Sequence, residues 1–152
     1  MTDYTFSVLR ELNLDEISDL ESDCRPRLDG LINRYFSGYD RGVDFPATAS
    51  DLDLVRGSWL IDKNEDRPDH QSVVLGVGFA FGQLLQRDYG FYWSLAEDPN
   101  GQFVSMVRHG KSFDPVSVPP FSYVDKREHT QNVEVFQDFF AQVAPEKISD
   151  TN

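Results

Sequence analysis

The sequence predicts an α+β fold in which N-terminal helices precede a three-stranded antiparallel meander and a C-terminal helix closes the chain. Three observations predict it. Apolar residues recur at helical spacing over residues 14–37 and 69–88. The period changes to two at Phe91, Trp93 and Leu95, which alternate with Tyr92 and Ser94. Helical spacing then returns at Val133, Phe136, Phe140 and Val143.

The first helix is read from Leu14, Ile17, Leu20, Leu28, Leu31, Ile32 and Tyr35. Pro26 lacks the N–H an interior helical residue donates, so a kink, or two helices meeting near Cys24 to Pro26, is expected. Gly38 to Pro46 reads as a loop. Ser50 fits a helix N-cap, with Leu52, Val55 and Trp59 on one face and an end near Asn64. Asp51 and Asp53 then fall in the first turn, where they complement the helix dipole. Glu65 to Pro68 forms the connection, with Pro68 or Asp69 opening the next helix.

Residues 69–88 are the clearest helix, with Gly90 at the expected stop. Gly76, Gly78 and Gly82 lie inside it, and each helical glycine costs about 1 kcal/mol relative to alanine. Three of them predict that neighbours pack very close to its backbone. Asp98-Pro99-Asn100-Gly101 is a turn, and Gln102 to Arg108 is the returning strand. After a turn at His109 to Lys111, Ser112 to Val118 is the third strand, which Pro115 marks as an edge or bulge. A short helix or turn carries Phe121 to Arg127, and Thr130 or Asn132 caps the last helix.

The 152 residues read as one domain: an acidic helical part over 1–68, the glycine-rich helix, meander and last helix over 69–144, and a tail over 145–152. The net charge is −12, with 26 acids against 14 bases. That balance argues against a nucleic-acid partner, because binding phosphates needs an excess of Lys and Arg. Six of the acids, and no base, lie between Glu11 and Asp23. The start carries no signal-peptide pattern, and the longest apolar stretch, Val73 to Leu85, is too short for a bilayer. With the single Cys24, a reducing cytoplasm is expected and a disulfide framework is excluded.

Catalytic signatures are missing. Gly76 to Gly82 departs from the dinucleotide fingerprint at Phe81 and lacks the Lys of a P-loop. His70, His109 and His129 have no second histidine at ligand spacing, so no metal and no cofactor are expected. Cys24 sits among acids that suppress a thiolate. Pro119 to Glu128 is the most distinctive string, with aromatics beside Lys126 and Arg127 in a very acidic chain.

Leu75-Gly76, Phe81-Gly82-Gln83-Leu84, Trp93, Asp98 with Gly101, and Pro120 to Val124 followed by Lys126-Arg127 form an ordered pattern. Over about residues 70–140 it resembles the bacterial domain-of-unknown-function family 3806. That resemblance implies no reaction. In size, acidity and architecture the chain is also similar to small immunity proteins of bacterial toxin systems.

The expected function is therefore binding. Asp15, Glu16, Asp19, Glu21 and Asp23 are the candidate contacts for a basic protein, with an immunity-type inhibitor of a cationic toxin as the sharper form. The alternative is a small-molecule-binding or enzymatic domain. Its site would lie between the glycine-rich helix and the Trp93 strand, with Lys126 or Arg127 holding an anion.

Overall fold

A computed structural model describes residues 6–36, 45–46, 48–109, 115–128 and 130–142. Strand β1 (Ser7–Glu11) opens it and leads into helix α1 (Leu14–Tyr35). Helices α2 (Ala49–Ile61) and α3 (His70–Tyr89) follow. Strands β2 (Tyr92–Asp98), β3 (Gly101–His109) and β4 (Pro115–Val118) come next, then helices α4 (Pro120–Lys126) and α5 (Val135–Gln142). The α+β expectation holds. The three-stranded meander does not: among the described residues the sheet has four antiparallel strands in the order β1-β2-β3-β4.

The added strand is β1, which pairs with β2. Its register shifts between Val8 and Arg10, a bulge that breaks any period of two. Most of its residues are exposed, so no buried face imprints an alternation on the sequence. Backbone pairing to a distant strand makes it a strand.

Other boundaries also differ from expectation. Helix α1 runs through Pro26 without dividing. Pro26 lies on the exposed side, where water can serve the carbonyl that loses its partner. Leu14, counted with the core periodicity, is 84% exposed, whereas Cys24, Leu28 and Leu31 are fully buried. The N-cap of α2 is Thr48 rather than Ser50, and α2 ends at Ile61 rather than near Asn64. Asp51 is the residue that folds back on this start, its Oδ2 accepting from the Thr48 N–H at 3.4 Å. Asp53 is displaced from the first-turn surface into the interior. The expected loop at 38–44, the turn at 110–111, residues 112–114 of the third strand and the tail at 145–152 lie outside the described residues.

Helix α3 is the hub. Asp69 accepts the Ser72 N–H at 2.8 Å to start it, and Gly90 ends it at a φ of 75°. Its three interior glycines each admit a different neighbour. A Cβ on Gly76 would lie 2.8 Å from Leu31 Cδ1 and 3.1 Å from the Leu28 nitrogen, so α1 crosses there. A Cβ on Gly78 would meet Phe121 Cδ1 of α4 at 2.6 Å. Gly82 receives the Trp93 ring of β2. Phe81, fully buried, packs edge-on against Phe136 and Phe139 of α5, with Tyr123 of α4 beside it. The register places Trp93, Met106 and Val118 on the core face of the sheet. No helix among the described residues is long and apolar enough to cross a membrane.

Candidate functional site

Helix α1 carries the five candidate acids, and its geometry divides them. Asn13 caps the helix, its side chain accepting the Glu16 N–H at 2.8 Å, while Glu16 Oε1 accepts the Asn13 N–H at 3.0 Å. Both Glu16 oxygens also accept from Arg10, at 2.5 and 2.7 Å. Glu16 is thus committed to tying β1 to α1. Glu21 pairs more loosely with Arg25 at 3.5 Å. Asp15, Asp19 and Asp23 recur every four residues, so they form one stripe. All three are exposed and have no cationic partner among the described residues. The exposed Leu14 flanks the start of the stripe.

The Glu16 carboxyl is held down to about 2, first by the Arg10 hydrogen bonds and then by the Asn13 N–H. Asp62 is held well below the usual carboxylate range by Arg34 at 2.7 Å, by the Tyr35 hydroxyl at 2.6 Å and by the Asn64 N–H. Both folded values lie below their unfolded ones. The stability they contribute is complete above the unfolded pKa and is lost as pH falls through the folded pKa. Urea midpoints are therefore expected to fall between about pH 5 and pH 2. The decline should be shallower in a Glu16→Gln/Asp62→Asn variant, and an unaltered slope would show that these pairs contribute nothing.

The second candidate set is Trp93, Lys126 and Arg127, and the structure does not bring it together. Trp93 is 2% exposed, pressed on Gly82 and stacked with Phe79 and Phe121 at 5.7 and 6.2 Å. The space between the glycine-rich helix and β2 is filled. Arg127 lies over the Tyr123 ring at 3.6 Å and donates to the Tyr123 carbonyl at 3.3 Å. Lys126 lines a different opening, a notch of about 460 Å³, with Phe121 and Ser122 of α4 and Phe103 and Val104 of β3.

The two charges that sequence reasoning missed are structural. Asp53 is 5% exposed and accepts from Phe136 N at 2.9 Å, Gln137 N at 3.0 Å and Gln137 Nε2 at 3.0 Å. It therefore serves the first turn of α5 rather than that of its own helix. Burial pushes its carboxyl up from the ordinary range, while these donors pull it down. Arg56, 2% exposed, donates to the carbonyls of Arg127 at 2.5 Å, Asn132 at 3.0 Å and Thr130 at 3.2 Å. The spacing of three that places both on one face of α2 was visible in the sequence, but not the segment they hold.

The remaining titratable groups offer no assembled chemistry. His70 Nε2 meets Asp125 Oδ1 at 2.7 Å, and Glu128 Oε1 lies 2.9 Å from Nδ1. His109 bonds the Tyr92 hydroxyl at 2.8 Å, and His129 lies outside the described residues. Burial, then Asp23, pushes the Cys24 thiol up to about 11, which keeps it protonated and unreactive. Among the described residues no three His, Cys, Asp or Glu side chains are placed to hold a metal ion. No family model matches the chain, and neither a curated protein nor a solved structure matches it.

Proposed function

We propose that the protein acts by binding a basic protein through the outer face of α1. Its sharper form is an immunity-type inhibitor of a cationic toxin in a bacterial cytoplasm. The observation that carries this reading is the stripe of Asp15, Asp19 and Asp23, exposed and in no ion pair among the described residues, with Arg27 one turn beyond its end. Like charges four apart on a helix destabilise it by about 0.2–0.5 kcal/mol per pair. A cationic partner relieves that repulsion on binding, and the field of the stripe speeds the encounter. The exposed Leu14 adds an apolar contact at the end of the stripe. Glu16 leaves the candidate set because Arg10 already occupies it. The small-molecule or enzymatic alternative has less support, because Trp93 fills the space where its site was expected.

The test is co-expression with the product of the adjacent gene, followed by pull-down at about 0.05 M and about 0.5 M salt. The protein is expected to protect the cell and to bind more weakly at the higher salt. The triple variant Asp15→Lys/Asp19→Lys/Asp23→Lys is expected to lose at least about tenfold in affinity. Glu16→Gln is expected to bind as well as the original. If the adjacent product is harmless, or if the triple variant still protects, the reading is wrong.

A further inference from the structure

We propose that the unpaired stretch of β3 takes up an extended, carboxylate-bearing peptide as an added strand, with the carboxylate at Lys126. Strand β3 spans Gly101–His109, but β4 pairs only with Met106 to His109. At Val118 the chain leaves the sheet, and Pro119 and Pro120 turn it into α4. Gly101 to Val104 therefore have no strand beside them on that side among the described residues, whereas Ser105 is fully buried and its hydroxyl meets that of Ser117 in β4 at 2.6 Å. Such an edge presents a row of backbone donors and acceptors that can pair with another chain.

The other edges carry devices that discourage pairing. Strand β1 has its bulge between Val8 and Arg10 and the charges of Arg10 and Glu11. Strand β4 is only four residues long and opens with Pro115. From Gly101 to Val104 there is no proline, no charge and no bulge. Gly101 to Val104 instead line the notch of about 460 Å³, a volume within the range of ligand sites.

The walls select the occupant. Four residues of strand extend about 13 Å, and a partner strand's side chains alternate between the two faces of the sheet. On one face they meet Val104 and Phe121, and on the other Phe103, so apolar residues fit both. Lys126 is exposed and makes no hydrogen bond or ion pair with a described residue. Its charge stands in a chain of net charge −12, and it attracts an anion. This surface and its acidic, apolar ligand are separate from the α1 stripe and its basic partner.

The experiment selects a random octapeptide library with free carboxyl termini on the full chain. A selected peptide and its C-terminal amide are then titrated into ¹⁵N-labelled protein. Enriched peptides are expected to be apolar with a carboxylate at or near one end, and shifts are expected in Gln102 to Val104 and α4. Amide exchange in that stretch should slow, which side-chain binding alone would not cause. Lys126→Glu should weaken binding about fivefold without moving the thermal midpoint. Loss of binding by the amide assigns the terminal carboxylate, and retention assigns an acidic side chain. The α1 triple variant should bind the peptide normally. No enrichment, shifts confined to other elements, or indifference to Lys126→Glu would overturn the proposal.

Discussion

Asp53→Ala is expected to lower the unfolding free energy by about 3 kcal/mol. The carboxylate serves three N–H donors of α5 from a position 83 residues earlier in the chain. Removing it leaves the Phe136 and Gln137 amides without an acceptor in a setting that water does not reach freely. Each charge-assisted hydrogen bond contributes about 1.5–3 kcal/mol, and partial repacking offsets some of the loss. The damage spreads because α5 carries Phe136 and Phe139 against Phe81. Asp53→Asn keeps the shape and one good acceptor, so it should cost about half as much. Urea unfolding followed by tryptophan fluorescence measures both. A midpoint for Asp53→Ala equal to that of the original chain would mean that α5 does not depend on this clamp. Arg56 holds the same segment through three carbonyls, so its loss should couple with that of Asp53 rather than add to it.

Gly82→Ala is expected to destabilise by about 2 kcal/mol net, although alanine is the better helix former by about 1 kcal/mol. The new Cβ would lie 2.6 Å from Trp93 Cζ2, and closer still to Cη2. The indole cannot retreat, because Phe79 and Phe121 stack on it. Gly57 in α2 is the control, since a Cβ there meets nothing within 4 Å. Gly57→Ala should therefore stabilise by about 0.5–1 kcal/mol. Thermal midpoints that shift in opposite directions for the two variants support the account. A Gly82→Ala variant as stable as the Gly57→Ala variant would refute it.

The glycines show where sequence reasoning succeeds. Three helical glycines that propensity disfavours predicted close neighbours, and α1, α4 and β2 supply them. The identity of each neighbour was not legible, because helical periodicity says which face is crowded and not by what. Gly90 was legible as the end of α3 and its start was legible as Pro68 or Asp69, of which Asp69 is the cap, because caps act within four residues of themselves. Ser50 offers as good a local cap as Thr48, and that shift of two positions hid the role of Asp53.

The candidate site divides in the same way. The acidic stripe was readable because a spacing of four on a helix is local. That Glu16 is spent on Arg10 depends on β1, whose exposed residues carry no alternation to announce a strand. Trp93 looked available because an aromatic on a strand reads alike in a core and in a binding site. Its 2% exposure follows from the glycine opposite it.

By itself the sequence determined the α+β class, the central helix with its caps and close contacts, the β2–β3 hairpin and the acidic face of α1. Each rests on side-chain periodicity or on bonds spanning a few residues. Only the tertiary structure decided the fourth strand, the buried Asp53 and Arg56 clamp, the filled space over Trp93 and the notch beside β3. Those depend on which distant backbone groups find one another, and a partner dozens of residues away leaves no mark on local composition.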